Sequence, residues 1–287
     1  MSETSLFGNR VAIVANMHHK EQVIAPILES EFGLKVFVPP NLDTDCFGTF
    51  TREKLRPGNQ LETARLKALH ALSLTGETLA IASEGAFGPH PQIPWVSCDR
   101  ELVLLLDQQQ GIEIIGETLS TETNYASQTI ASYAEAQAFA AKVGFPAHGL
   151  IVMSDREAKN SPAVFKGIRT AVGLYEAVTQ ALAQSATGRI HIETDMRAMY
   201  NPTRMQAIAA ATKDLVRNIR QVCPQCGCPG FAIVETSPGL PCGLCHLPTR
   251  LTRSVRYECQ KCCYCQEVLF PKGLTTADPA QCLYCNP

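Results

Sequence analysis

Short apolar runs alternate with mixed polar segments along this 287-residue chain. VAIVAN (residues 11–16) has the length and β-branched content of a buried strand, and LKVFVP (34–39) reads the same way. Between them KEQVIAPILESEFG has helical spacing and stops at Gly33. Its Pro26 predicts a regular helix that starts near that residue or is kinked there. A long polar connection, PNLDTDCFGTFTREKLRPGN, follows, and connections of that length inside a compact domain are usually functional or mobile. In the helix beyond it Leu61, Ala64, Ala68, Leu69 and Leu72 define one apolar face.

LAIAS forms the third strand. Its apolar part, Leu79 to Ala82, is expected to leave the sheet at Ser83-Glu84-Gly85 and enter a Gly-Pro-His-Pro turn. ELVLLLD is expected as a helix and GIEIIGET as a strand. A second part begins near TETNYASQTIASYAEAQAFAAKVG, read as an alanine-rich helical region. GLIVM (149–153) and RIHIET (189–194) read as strands, and PAVFKGIRTAVGLYEAVTQALAQ as a helix. In the last helix Asn201 suits the N-cap and Pro202 the first helical position. Strands alternating with helices predict an α/β class, a mixed or largely parallel sheet with flanking helices.

Composition adds a boundary. The chain is 45% hydrophobic and 18% charged, enough to fill a core. A formal net charge of −2 gives no case for a dedicated DNA binder. The first residues, MSETSLFGNR, resemble no signal peptide, and no stretch approaches the roughly 20 apolar residues of a membrane helix, so a cytoplasmic protein is expected. Of 13 cysteines only Cys46 and Cys98 precede residue 220. That asymmetry divides the chain into an α/β domain over 1–220 and a double zinc-ribbon domain over 221–287, a small C-terminal region.

The cysteine-rich end contains four C-x-x-C pairs: Cys223 and Cys226, Cys242 and Cys245, Cys259 and Cys262, Cys282 and Cys285. Two pairs about 15 to 20 residues apart suit one zinc ion held by four thiolates, so two structural zinc ions are expected. Neighbouring pairs can share an ion, or the first pair can join the third and the second the fourth. Cys262 and Cys265 also form a C-x-x-C, which would shift the third knuckle, and Cys228, Cys263 and Cys265 are surplus. All-thiolate sites are closed to water and substrate, so a structural role is expected of them. Arg250, Arg253 and Arg256 lie between the two sites on an expected strand, a surface that could meet nucleic acid or a protein.

Candidate chemistry gathers where the first three strands end. Met17-His18-His19-Lys20 follows the first; the long connection carries Asp43, Asp45, Glu53 and Arg56; the next helix carries Glu62 and Lys67; Ser83, Glu84 and His90 follow the third. Ligands of open α/β sheets bind at the carboxyl ends of strands, where such groups can share one cleft. Carboxylates beside Lys and His suit a magnesium-bound phosphate. Glu84, Asp45 and His90 are the candidate catalytic groups; His18, His19, Lys20, Lys67, Arg197 and Arg204 are candidate substrate contacts; Glu62 and Glu84 are candidate magnesium ligands. Asp195, Arg197 and Arg204, from DMRAMYNPTRM, can join the cleft or form a capped helix with a local ion pair.

ANMHHK (15–20), ETARLKA (62–68) and AIASEG (80–85) resemble the motifs of house-cleaning pyrophosphatases that remove inosine and xanthosine triphosphates. The resemblance implies that Lys20 and Lys67 bind phosphate, that Glu62 binds metal, and that Glu84 holds metal or orients the attacking water. Ala15, Met17, Thr63 and Ser83 depart from those motifs. NMHHKEQVIAP, DTDCFGTF, SEGAFGPHP, DMRAMYNPTRM and CLYCNP are similar to an uncharacterised bacterial family, a domain of unknown function with a cysteine-rich end. Two functions follow: a magnesium-dependent hydrolase of a nucleotide or other phosphorylated small molecule, or a non-enzymatic ribbon that binds nucleic acid or protein.

Overall fold

The computed structural model describes residues 7–40, 42–48, 56–154 and 163–287. Two sheets precede the cysteine-rich end. In the first, strands β1 (Val11–Ala15), β2 (Lys35–Phe37), β3 (Leu79–Pro89), β4 (Ser97–Asp107) and β5 (Ile112–Ser120) take the order β2-β1-β3-β4-β5. β1 is parallel to both neighbours, and β4 and β5 are antiparallel additions, so the sheet is mixed.

Helix α1 (Glu21–Phe32) and helix α5 (Pro202–Arg220) cover one face, and helix α2 (Gln60–Thr75) covers the other. Alternation along the strands assigns side chains to these faces. Ile81, Val103 and Leu105 pack with Ile24, Leu28, Ile208 and Leu215, whereas Ala80, Ala82, Leu102 and Leu104 pack with Ala64, Ala68 and Leu72. Gly116 on β5 lets α5 approach closely, because a Cβ there would lie 2.2 Å from the Leu215 nitrogen and 2.3 Å from the Ala211 carbonyl.

The second sheet is wholly antiparallel, with β6 (Ser127–Ile130), β7 (Leu150–Met153), β8 (Val164–Ile168) and β9 (Ile190–Thr194) in the order β6-β9-β7-β8. Helices α3 (Tyr133–Lys142) and α4 (Ala171–Gln184) pack on it around Phe139, Leu150, Leu174 and Ile192.

Four local expectations are corrected. ELVLLLD is part of strand β4; its apolar run is continuous because both sheet faces are covered, and such a run carries no period that separates strand from helix. β3 does not stop at Ser83 but runs to Pro89, fully paired to β4, so Glu84 lies within a strand. The alanine-rich region opens with β6 before Ser132 caps α3, and the next expected helix opens with β8 before Thr170 caps α4. Of the two expectations for α1, a start at Pro26 is not met: the helix begins at Glu21 and contains Pro26. Asn201 caps α5, with Pro202 at its first position, as the sequence implies.

The cysteine-rich end is a three-stranded antiparallel meander, β10 (Ala232–Pro238), β11 (Thr252–Glu258) and β12 (Cys265–Leu269). Cys223, Cys228, Phe231 and Cys259 belong to the same buried cluster as Ile114 and Ile219. Among the described residues, no helix is long and apolar enough to cross a membrane.

Candidate functional site

From β1 the chain passes through α1 to β2 on one side, while β3 lies on the other. Strand order therefore reverses between β1 and β3, the place where open α/β sheets bind ligands beyond the strands' carboxyl ends. Ala15 pairs with Ala82, so Asn16 and Ser83-Glu84 share that end. Charged side chains gather there on both faces of the sheet.

On the α2 face Glu84 is buried and doubly paired. Lys67 Nζ contacts one carboxylate oxygen, and Arg56 Nη2 lies 3.0 Å from the other. Arg56 also donates to the Gly85 carbonyl at 2.8 Å, and Gln60 Nε2 to the Glu84 carbonyl at 3.1 Å. Burial alone would raise the pKa of this carboxyl group, but Lys67, Lys20 and Arg56 outweigh it and hold Glu84 below the usual range.

On the α1–α5 face Lys20, the residue before α1, donates from Nζ to the Ser83 carbonyl at 3.1 Å and to Ser83 Oγ at 3.0 Å. Arg204, in the first turn of α5, donates from Nε to Glu101 at 2.6 Å and from Nη1 to the Met196 carbonyl at 2.5 Å. Its guanidinium sits 5.1 Å from the centre of the Phe87 ring. Gly85 makes room for this pair: a Cβ there would lie 2.4 Å from Glu101 Oε1 and 2.5 Å from Arg204 Nη2. Asp99 and Glu101 project from the same face of β4 and hydrogen-bond to each other as an acid pair; with both ionised, the buried oxygens Asp99 Oδ1 and Glu101 Oε2 would have no donor. Burial and the Glu101 charge push the Asp99 carboxyl up to about 8. Burial, helped by Arg204 and opposed by Glu101 and Glu84, brings the Lys20 ammonium down to about 7.

Lys20, Lys67, Glu84 and Arg204 thus come together. Of the other described candidates, Glu62, His90 and Arg197 are engaged apart from them, and His18 and His19 flank Lys20. Glu62 turns back on its own helix in a capping box, its Oε2 accepting from the Asn59 nitrogen at 2.9 Å while its own nitrogen donates to Asn59 Oδ1. Glu62 and Glu84 therefore form no magnesium pair, and magnesium has no support from these residues. His90 sits beyond the end of β3, six strand residues or about 20 Å from Glu84, where its backbone and ring hold the β3–β4 turn. His18 and His19 lie on the turn after β1; the His18 nitrogen donates to Asn16 Oδ1, and His19 has a positive φ and lies near Glu21. Arg197 pairs with the buried Asp195, which also accepts from the Gly167 nitrogen at 3.0 Å, so this ion pair braces the second sheet. Asp45 opens a short 3-10 turn, and its side chain, like Glu53, lies outside the described residues.

Sequence reasoning missed Asp99, Glu101 and the reason for Gly85. An acid pair two residues apart shares a face only in a strand, and the run that follows this pair reads as a helix.

At the cysteine-rich end the interleaved arrangement holds. Cys223, Cys226, Cys259 and Cys262 form one set, and Cys242, Cys245, Cys282 and Cys285 the other. Ala232 faces Glu258 across the meander and Pro238 faces Thr252, so the first and third knuckles meet at one end and the second and fourth at the other. Neighbouring pairs are separated by a strand and cannot share an ion. Sulfur–sulfur distances of 3.6 to 3.8 Å within the sets match a tetrahedron with zinc–sulfur bonds of about 2.3 Å, whose edge is about 3.8 Å. Both sets are therefore consistent with structural zinc. Backbone nitrogens of Lys261 and Leu244 donate to Cys259 and Cys242 sulfurs at 3.4 Å, as thiolate ligands require. Cys263 is the positive-φ residue that closes the third knuckle, Cys265 is on β12 and Cys228 is buried, and none of the three belongs to either set. Among the described residues these two sets are the only groups of three or more His, Cys, Asp or Glu placed to hold a metal ion.

A family model described as Domain of unknown function (DUF6671) matches residues 67–287, and the chain belongs to that family. Among curated proteins none matches it.

Proposed function

We propose that the charged site at the ends of β1 and β3 binds a phosphorylated small molecule, a nucleotide being the leading class, and hydrolyses it. The observation that supports this is the meeting of four cations, Lys20, Arg56, Lys67 and Arg204, at the reversal of strand order. They outnumber the three carboxyl groups there, and fixed cations aimed at phosphoryl oxygens supply the electrostatic stabilisation that phosphoryl transfer needs. Glu84, with both oxygens engaged, holds Lys67 and Arg56 in position rather than activating water. Asp99, protonated near neutral pH, is the proton donor for the leaving group.

The test is a panel of nucleoside triphosphates, including inosine and xanthosine triphosphates, and simple phosphate esters. The zinc-loaded full chain is used, with phosphate and pyrophosphate read separately. Turnover is expected and should fall at least 100-fold in Arg56→Gln, whose exposed position leaves the fold intact. Absence of turnover across the panel overturns the reading. The ribbon as a nucleic-acid or protein surface is the second reading, and it is weakened because Arg256 is spent on Glu235 and Glu258, each at 3.0 Å. Salt-dependent binding of single-stranded RNA in a chain without turnover would transfer the function to the ribbon.

A further inference from the structure

The geometry points to Ser83 as a nucleophile and Lys20 as its general base, a serine–lysine dyad through which hydrolysis passes by a covalent enzyme. This deepens the hydrolase reading and rests on it.

Nζ and Oγ are 3.0 Å apart, within the reach a base needs to take a hydroxyl proton. The two residues come from different elements, Ser83 from β3 and Lys20 from the turn before α1, and they meet at the reversal of strand order. Ser83 is 3% and Lys20 6% exposed, so bulk water does not compete for this contact. A second bond from Nζ to the Ser83 carbonyl at 3.1 Å fixes the amine against the strand. The Ser83 hydroxyl proton has no acceptor among the described residues other than this nitrogen. An ammonium could only donate to Oγ, whereas a neutral amine can accept from it, and a Lys20 pKa brought down to about 7 gives a large neutral fraction at pH 7. Arg204, Glu101, Glu84, Lys67 and Asp99 surround the amine from α5, β4, β3 and α2.

The step balances without a further reactant. Lys20 takes the Ser83 proton as an Oγ–phosphorus bond forms, and Asp99 gives its proton to the leaving oxygen as the bond to that oxygen breaks. Water attacks phosphorus and gives a proton to the Asp99 carboxylate, the Oγ–phosphorus bond breaks, and Lys20 returns its proton to Oγ, so phosphate leaves with serine, lysine and acid restored.

A serine-directed fluorophosphonate offered to the zinc-loaded full chain tests this, with the adduct mapped by mass spectrometry. One adduct per chain on Ser83 is expected. Its rate of formation should fall at least 100-fold in Lys20→Met and also in Lys20→Arg, because arginine keeps the hydrogen bonds and the charge but cannot take the proton. Melting temperature confirms the fold of each variant. No adduct on folded wild type, an adduct elsewhere, or an unchanged rate in Lys20→Arg overturns the dyad. Turnover undiminished in Ser83→Ala also overturns the dyad while leaving the hydrolase reading intact. Labelling at Ser83 with no turnover of any phosphorylated compound supports the dyad and overturns the choice of substrate class.

Discussion

Replacing Gly85 by alanine adds one carbon to a strand position that is otherwise open to any residue. The added Cβ falls 2.4 Å from Glu101 Oε1 and 2.5 Å from Arg204 Nη2, about 1 Å inside ordinary contact. The obstacles are the ends of flexible side chains, yet Glu101 is fully buried and Arg204 is 4% exposed, so neither can swing into water. Relief comes only by parting the 2.6 Å pair or shifting the first turn of α5. Parting a buried ion pair costs about 3–5 kcal/mol, because the freed charges stay desolvated. Gly88, three residues along the same strand, supplies the control, because a Cβ at that position would meet nothing within 4 Å. Alanine there should change stability by less than about 1 kcal/mol. Urea titration followed by far-ultraviolet dichroism measures both. Equal midpoints for the two variants would refute the claim that Gly85 exists to seat the Arg204–Glu101 pair.

Gly116→Ala meets backbone rather than side chains, so a loss of at least about 3 kcal/mol or failure to fold is expected, read by soluble yield and thermal melting. Chelation should release two zinc ions per chain by elemental analysis. Cys226→Ser should lower the melting temperature more than Cys245→Ser, because only the first site shares the core of the mixed sheet. For Asp99 the folded pKa is raised from 3.8 to about 8, so the folded state holds a proton that the unfolded chain releases. Its contribution to stability is complete below pH 4 and is lost as pH rises toward 8; the difference between wild type and Asp99→Asn in urea titrations should show that slope, and a flat difference would contradict it.

What the sequence made legible was what local chemistry encodes. The C-x-x-C pairs stand out because ligand spacing is a property of a turn, and Asn201-Pro202 marks the start of α5 for the same reason. Which pairs share an ion is not local. It depends on three strands folding back so that knuckles one and three meet, and no spacing rule contains that. The cleft divides similarly. Lys20, Lys67 and Glu84 are visible as polar groups at strand ends, whereas Asp99 and Glu101 are hidden by the helical reading of ELVLLLD. With both sheet faces covered, Leu102 to Leu105 form an unbroken apolar run, and the alternation that would place the acids on one face is erased.

The cysteine-rich end and the mixed sheet also share an edge. β5 is the sheet's last strand, and an open edge is a template for unwanted pairing. Its outward backbone groups are taken one by one. Gln260 accepts from the Glu113 nitrogen at 2.9 Å and donates to its carbonyl at 2.6 Å, Asn218 donates to the Ile115 carbonyl at 2.7 Å, and Asp214 accepts from the Glu117 nitrogen at 2.8 Å. Gln260 lies between Cys259 and Cys262 of the first cysteine set, so a metal ion held there would fix the amide that imitates a sixth strand. Gln260→Ala should therefore cost about 1–3 kcal/mol by uncovering two backbone groups, and the loss should vanish once zinc is removed. Urea titration of both variants with and without chelator measures the coupling. An equal loss in the zinc-free chain would mean that the edge is covered independently of the metal.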